Sequence, residues 1–167
     1  MGWLPGIVLG LVGVAVAGAA VFYLGMRTKN RFVQGAVIEF TKKVVNPRMR
    51  GTAGTSGATA ALIRNVGRTS GRLYATPVGA EPVDGGFVVA LPYGTRPNWL
   101  RNVLAAGETT LVHDGLEHRV DQPEIVPLDP FARAFSPSDQ TLHRVFGVKT
   151  VLWLRSVDAP ASVASAA

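Results

Sequence analysis

An uncharged apolar run near the N-terminus constrains this chain more than any other feature. Residues 4–26 read LPGIVLGLVGVAVAGAAVFYLGM and contain no charged side chain. Since about 20 apolar residues are enough to cross roughly 30 Å of hydrocarbon, the run predicts a transmembrane anchor over residues 1–27. Trp3 before the run and Phe22–Tyr23 near its end are typical of the aromatic belts at membrane interfaces.

A cleaved signal peptide is the alternative interpretation of this run, because Ala17–Ala19 forms an Ala-x-Ala cleavage site. A signal peptide begins with basic residues and has a shorter apolar core, and neither property is found here. Basic residues follow the run and none precede it, so the positive-inside rule places the N-terminus outside. The sequence therefore predicts a single-pass protein of the cell membrane with its main domain in the cytoplasm.

The net charge of +6 is concentrated next to the apolar run. Residues 1–50 hold seven Lys and Arg against one acid, Glu39, whereas residues 51–167 hold ten of each sign. Membrane lipids with anionic headgroups are therefore the expected partner of the basic region, and nucleic acid is not. No sequence feature fixes the oligomeric state.

Residues 28–57 are predicted to form a basic amphipathic helix followed by a Gly-rich linker. Apolar side chains recur at four-residue spacing within residues 30–46, which predicts a helix that lies on the membrane, packs on the domain, or does both. Residues 46–59 read NPRMRGTAGTSGAT and lack the G-K-[ST] ending of a phosphate-binding P-loop, so they are interpreted as a linker. The apolar positions of the helix are Phe32, Ala36, Phe40 and Val44, with Val33 and Val37 beside them.

Residues 58–157 have the pattern of a mainly β (α+β) domain. Five or six mostly antiparallel strands with one inserted helix favour a small closed or split barrel. The helix is predicted between Thr95, as its N-cap, and Gly107, and Asp114–Gly115 is predicted to be the two-residue turn of a hairpin. The run FVVAL at 87–91 lacks alternation, so both of its faces are expected to be covered. The other predicted elements are strands at 60–66, 72–80, 86–92 and 149–157, a helical segment over 128–147 broken at Pro137, and a disordered tail at 158–167.

The side-chain inventory excludes several kinds of chemistry. The chain has no cysteine, and its three histidines fit no zinc-binding motif, so disulfides, thiolate nucleophiles and metal sites are not expected. No nucleophile elbow, no Rossmann GxGxxG motif and no pair of neighbouring acids in a pocket-like context is found. An enzyme with these residues needs an organic cofactor to supply its reactivity.

The segment GRTSGR, residues 67–72, is the first candidate site. Its glycines permit positive φ, so backbone N–H groups can converge on an anion. Arg68 and Arg72 can add charge-assisted hydrogen bonds to a phosphate. A solvated hairpin tip is the alternative, because arginines are common at such positions.

The segment LPYGTRPNWLRN, residues 91–102, is the second candidate site. Trp99 and Asn102 are three residues apart, and Asn98 and Asn102 are four apart, so these side chains share one face of the predicted helix. An aromatic ring, amides and a glycine at a strand-to-helix turn suit a flat heterocycle with polar edges. The alternative places Trp99 in the core and leaves the asparagines in solvent.

Taken in order, four stretches of the chain resemble the deazaflavin-dependent nitroreductase family. They are ALIRNVGRTSGRLYATPV, DGGFVVALPYG, NWLRNVLAAGETTLVHDG and FGVKTVLWLR, which together cover about residues 58–157. The set G-R-x-[ST]-G, a proline about six residues later, and W-x-x-N carries the resemblance. It implies a split β-barrel of the FMN-binding type and an oxidoreductase that uses coenzyme F420, an 8-hydroxy-5-deazaflavin with a phosphate and a glutamate tail.

The resemblance also implies which residues contact the cofactor. The anionic tail would lie against the glycine-rich loop and the ring against the strand after it and the second candidate site. Tail contacts would come from Arg68, Thr69, Ser70, Gly71 and Arg72. Ring contacts would come from Tyr74, Thr76, Pro77, Leu91, Tyr93, Gly94, Asn98, Trp99 and Asn102. The proton consumed in the reaction would come from solvent or from a hydroxyl group such as that of Tyr93, the candidate catalytic residue.

The chain departs from the family pattern at some of these positions. Many members carry a basic residue where this chain has Thr69 and Tyr74, and some carry Ser-Lys at Tyr93–Gly94. Arg72 and Arg96 are available to supply the missing charge. A substrate-side tyrosine of some members has no match here, and the nearest aromatic residues are Phe135 and Phe146.

The predicted function is a membrane-anchored oxidoreductase that transfers a hydride from reduced F420 to an electrophilic acceptor. A lipid-soluble quinone is the expected acceptor, because the anchor holds the site at the bilayer surface, and nitro compounds are further candidates. Two alternatives remain open. One is an FMN-binding reductase or flavin carrier on the same barrel, and the other is a non-catalytic membrane-anchored binding module.

Overall fold

The computed structural model describes residues 4–49 and 51–157, with the side chains of the first helix described from Val14 onward. The tail predicted at 158–167 lies outside the described residues, as does the beginning of the predicted anchor at residues 1–3. Among the described residues no helix is both long and apolar enough to cross a membrane. The anchor predicted over 1–27 stays a prediction. The N-terminal helical elements are α1 (Leu4–Arg27), α2 (Arg31–Phe40), a π-helical turn (Thr41–Val45) and the short α3 (Asn46–Met49).

Helices α1 and α2 pack closely against each other. Gly25 allows this contact, because a Cβ atom there would lie 2.4 Å from the side chain of Val33. Asn30 begins α2 by accepting hydrogen bonds from two backbone N–H groups of its first turn. The helix predicted over residues 30–46 is thus confirmed, and helical structure continues to Met49.

The apolar stripe predicted on α2 does not pack on the domain. Phe32 and Phe40 are 75% and 59% exposed, whereas Gln34 is buried. Val33 lies against Gly25 of α1, so the Val33 side of α2 faces inward. The stripe of Phe32 and Phe40 therefore faces outward.

One sheet contains all seven strands of the described chain. They are β1 (Ala61–Val66), β2 (Leu73–Val78), β3 (Ala80–Val83), β4 (Gly86–Ala90), β5 (Glu108–His113), β6 (Leu116–Pro127) and β7 (Thr150–Ser156). Every neighbouring pair is antiparallel, and the order across the sheet is β2-β1-β5-β6-β7-β4-β3. The predicted number of five or six strands is wrong, because the single run predicted at 72–80 is divided at Gly79 into β2 and β3.

Strands β2 and β3 form the two edges of the sheet although they are consecutive in the chain. Gly79 alone separates them, so the edges must come together and the sheet curls on itself. A bulge in β6 between Asp121 and Glu124 bends the sheet at another point. The curled antiparallel sheet is consistent with the predicted split barrel.

Apolar clusters cover both faces of this sheet. In the larger cluster Ile63, Leu111 and Leu152 are fully buried together with residues of α4 (Asn98–Ala106). The smaller cluster lies on the other face and includes residues around a 3-10 helix and α5, which span Asp129–Ala134 and Pro137–Val145. Side chains of the FVVAL run enter both clusters, which confirms that both faces of this strand are covered.

The helices inserted between strands differ in detail from the prediction. Pro97, and not Thr95, is the N-cap residue of α4, so this helix begins later than expected. Gly107 ends α4 with a φ of 74°, as predicted. The break predicted at Pro137 is confirmed, because α5 begins at that residue.

Residues 51–57, interpreted from composition as part of a linker, fold against the β5–β6 hairpin. Gly115 N–H donates to the carbonyl oxygen of Gly54 at 2.7 Å, and Gly57 N–H donates to the Asp114 carboxylate at 2.8 Å. The hydrogen bond from Gly57 lowers the pKa of Asp114. This Gly-rich segment is therefore a turn fixed on the barrel.

Replacing Gly86 by alanine is expected to destabilise the barrel. A Cβ atom at this position would lie 2.0 Å from the backbone carbonyl oxygen of Leu154, so β4 and β7 would have to separate locally. We expect a loss of about 3 kcal/mol in the free energy of unfolding, measured by urea denaturation. Gly79→Ala is the matched control, because a Cβ atom there meets nothing within 4 Å. Equal losses in the two variants would contradict this account.

Candidate functional site

The loop of residues 67–72 joins β1 to β2 and is held in shape by its own backbone. Gly67 N–H donates to the Arg72 carbonyl and Gly71 N–H donates to the Gly67 carbonyl, both at 2.8 Å. Gly71 has a φ of 64°, a conformation that glycine adopts without steric cost. Because these N–H groups are already paired, the binding of an anion at the loop would depend mainly on side chains, and less on the predicted convergence of backbone donors.

A buried chain of hydrogen bonds fixes Arg68 in this loop. Asn102 Oδ1 accepts from the backbone N–H and from Nη1 of Arg68, at 3.2 and 3.0 Å. Asn102 Nδ2 donates in turn to Asn65 Oδ1 at 2.9 Å. Both asparagines are buried, so this series of hydrogen bonds runs from the interior of β1 through α4 to the loop. Asn102, predicted as a ring contact, thus uses its amide to position Arg68.

Asn65 is not among the site residues predicted from the sequence. The inward-facing positions of β1 alternate from Ala61 through Ile63 to Asn65. This register places an amide where an apolar side chain is expected. A polar residue at the inward position of a strand next to a candidate loop is the signal that identifies it.

The remaining side chains of the loop face solvent. Arg72 takes part in no ion pair among the residues that the structure describes, and Arg68 keeps donor groups that the buried chain does not use. Ser70 Oγ and Tyr74 Oη lie 3.1 Å apart. The loop thus offers two guanidinium groups and the hydroxyl groups of Thr69 and Ser70 to an anion.

A pocket of about 300 Å³ lies at the other end of the β1–β2 hairpin. Barrel residues and α4 form one part of its lining, and the N-terminal helical region supplies another part through Thr41, Asn46 and Met49. The pocket brings together five of the predicted ring contacts. These are Pro77, Leu91, Tyr93, Gly94 and Trp99.

The other predicted ring contacts lie outside this pocket. Asn98 is exposed, and its Oδ1 accepts from Arg101 Nη2 at 2.8 Å. Tyr74 and Thr76 follow one another along β2 between the pocket and the loop. Thr76 pairs with Ile63 across the strands, and residues directly opposite share a face of the sheet. Both side chains therefore lie on the α4 side of β2, along the path from the pocket to the loop.

The pocket and the loop are at opposite ends of one hairpin. Strand β2 runs from Leu73 at the loop end to Val78 at the pocket end. At about 3.3 Å per residue, these ends are about 17 Å apart. On α4, Trp99 lines the pocket, and Asn102 one turn later reaches the loop. The hairpin and α4 therefore hold the two sites in a fixed relation.

The turn between α1 and α2 is attached to the rim of the pocket. Lys29 Nζ donates to the carbonyl oxygens of Pro92 and Phe146, at 3.1 and 3.4 Å. Arg96 Nη1 donates to the carbonyl oxygen of Arg31 at 3.1 Å. Partial desolvation lowers the pKa of Lys29. These bonds connect the N-terminal helices to the segment between β4 and α4, which contains the first half of the second candidate site.

The histidines do not form a metal centre within the described part of the chain. No three His, Asp or Glu side chains there are placed so that they could hold a metal ion. His113 and His118 both lie against Phe87, with ring centroids 5.5 and 4.8 Å from its own. Their contacts are those of aromatic packing.

Comparison with known proteins gives distant likenesses to solved structures and nothing nearer. No family model matches this chain, and no curated protein matches it. Among solved structures, the chain is similar to one titled "F420 Reductase", with 14% sequence identity and a TM-score of 0.39. The match covers 59% of this chain and 86% of that one. The likeness is distant and concerns the fold.

Replacing Asn102 by alanine is expected to destabilise the protein by about 1–3 kcal/mol, because Asn65 Oδ1 and the Arg68 N–H would lose their buried partner. Urea denaturation of the full chain measures the change. Asn98→Ala is the matched control, since Asn98 lies one turn earlier on the same helix and is exposed, and it should change stability by less than about 0.5 kcal/mol. Equal losses of stability in the two variants would show that the buried hydrogen bonds of Asn102 do not stabilise the fold.

Proposed function

We propose that this chain is an oxidoreductase that binds coenzyme F420 and transfers a hydride to an electrophilic acceptor. The observation that carries the proposal is the placement of two unlike sites at the ends of one hairpin, a cationic loop and a largely apolar pocket. Their separation of about 17 Å along β2 suits an elongated ligand with a flat ring at one end and an anionic tail at the other. F420 has both parts.

Arg68 and Arg72 would hold the anionic tail of the cofactor. Guanidinium groups form strong charge-assisted hydrogen bonds with phosphate and carboxylate oxygens. Thr69 and Ser70 add hydroxyl donors beside them. Asn102 holds Arg68 in place before any ligand arrives, so less side-chain freedom is lost on binding.

The pocket would hold the ring of the cofactor and the reacting part of the acceptor. Trp99 and Pro77 offer flat apolar surfaces, and Leu91 lines the same space. Reduced deazaflavin supplies a hydride when bound, and the residues of the chain bind, orient and exclude water. The Tyr93 hydroxyl belongs to the same lining and can hold the proton that acceptor reduction consumes.

The proposed place of action is the cytoplasmic side of a membrane. Apolar side chains of α1 and α2, including Val14, Phe22, Phe32 and Phe40, are exposed. Basic residues in the same region would add attraction to anionic headgroups. A lipid-soluble quinone is the proposed acceptor, with nitro compounds as further candidates. Reduction of a quinone to a hydroquinone takes up one hydride and one proton, and the deazaflavin is oxidised.

An FMN-binding protein is the second candidate function. FMN also combines a flat ring with a phosphate, so the loop and the pocket fit both molecules by the same chemistry. A non-catalytic membrane module would have the same surface without affinity for either molecule. Direct binding measurements separate the three functions.

Replacing Arg68 by alanine is expected to weaken F420 binding about 10- to 100-fold, because a charged hydrogen bond contributes about 1.5–3 kcal/mol. The full chain in detergent is titrated with F420 and with FMN, and binding is followed by fluorescence. Arg64→Ala is the matched control, because it removes an equal charge from β1, the strand that leads into the loop. Arg64 is exposed there and pairs with Glu117. It should leave affinity within about twofold.

The titration also distinguishes the candidate functions. Tighter binding of F420 than of FMN supports the deazaflavin oxidoreductase, and the opposite order favours the flavin protein. Binding of neither molecule would leave the non-catalytic module. Equal affinities of the Arg68→Ala and Arg64→Ala variants for F420 would contradict the assignment of the loop to the anionic tail.

A further inference from the structure

The pocket has a wall that lies outside the region resembling the cofactor-binding family. Thr41, Asn46 and Met49 line it, and all three precede residue 58, where that region begins. For this segment the sequence indicates an amphipathic helix, lying on the membrane or packed on the domain, and a linker, but no part in a binding site. The structure places it over the same space as Trp99 and Leu91. The segment of residues 41–49 therefore belongs to the pocket.

The π-helical turn explains how both polar residues of this segment reach the pocket. Asn46 N–H donates to the Thr41 carbonyl oxygen, the i→i+5 bond of a π turn. In a regular α-helix, residues five apart lie about 140° apart around the axis. The wider turn brings Thr41 and Asn46 closer to the same side of the helix, and both line the pocket.

Most of the remaining lining is apolar. Thr41 and Asn46 thus line a largely apolar space of about 300 Å³. A pocket of this kind suits a flat apolar molecule that carries a few oxygen atoms at its edge.

We infer that Thr41 and Asn46 bind the carbonyl oxygens of the electron acceptor and that Met49 packs against its ring. The inference rests on the proposed function for the class of acceptor, an aromatic quinone. The Thr41 hydroxyl and the Asn46 amide can each donate a hydrogen bond to a carbonyl oxygen. The flexible thioether of Met49 adapts to rings of different shape. These three residues make the acceptor subsite, separate from the loop that holds the cofactor tail.

The test measures acceptor binding to the full chain in detergent without any cofactor. Menadione, a naphthoquinone, is titrated against the intrinsic tryptophan fluorescence, to which Trp99 in the pocket contributes. Asn46→Leu and Thr41→Val keep the approximate size of each side chain and remove its hydrogen-bonding group. We expect each to raise the Kd for menadione about 3- to 10-fold, the effect of losing one hydrogen bond.

Two controls separate hydrogen bonding from packing and from damage to the fold. Methylnaphthalene has the rings of menadione without the carbonyl groups, so Asn46→Leu and Thr41→Val should not weaken its binding. Lys43→Ala changes the same helical turn at a side chain that is 74% exposed and outside the pocket, and it should bind menadione like the unaltered chain. Equal affinity of F420 for all variants shows that the cofactor site is intact.

Each outcome decides the inference. It holds if the two substitutions weaken menadione binding selectively. It fails if the unaltered chain does not bind menadione, if the variants bind it as well as the unaltered chain, or if they lose methylnaphthalene or F420 equally. An unaltered chain that binds menadione through Thr41 and Asn46 but does not bind F420 would retain the subsite and remove the proposed function.

Discussion

The connection between β2 and β3 by the single residue Gly79 is the constraint on which the candidate site depends. Strands β2 and β3 pair at opposite edges of the sheet, and this single residue connects them. The sheet must therefore curl until its edges meet, and Val78 and Gly79 line the pocket at that seam. Edge strands leave unpaired backbone groups. The segment of residues 41–49 lies next to Val78 and Gly79 in the pocket lining. The same segment therefore covers the seam and forms a wall of the pocket.

Strand positions could be predicted from the sequence because hydrophobic pattern and turn chemistry are local. The FVVAL run and the Asp114–Gly115 turn both appear where the pattern places them. The division of residues 72–80 could not be predicted, since they read as one strand. Its halves are distinguished only by their partners, β1 for the first and β4 for the second. Which distant strand each half pairs with cannot be deduced from the residues of such a run.

The candidate site shows the same limit at the level of single side chains. Glycines and arginines identify the loop of residues 67–72 from its own composition. Which donors stay free depends on Asn102, which lies 34 residues after Arg68 and takes up its N–H group. Helix α2 is a second case, because its Val33 side faces inward against Gly25, which an amphipathic pattern alone does not predict. Tertiary packing thus decides both the loop's free donors and the orientation of α2.

The positive charge of the N-terminal region has structural uses that a count of residues does not reveal. Arg27 donates to two carbonyl oxygens at the end of α5, where the helix dipole favours a cation. Lys29 is bound to carbonyl oxygens at the pocket rim, and the loss of solvent there lowers its pKa. Side chains engaged in this way are less available to lipid headgroups. Lys42 and Lys43 are themselves paired with Glu39, at 3.6 Å each. Attraction to a membrane would then depend on the exposed apolar stripe of α2 more than on the excess charge. The basic residues nearest the barrel instead fix the N-terminal helices over the pocket.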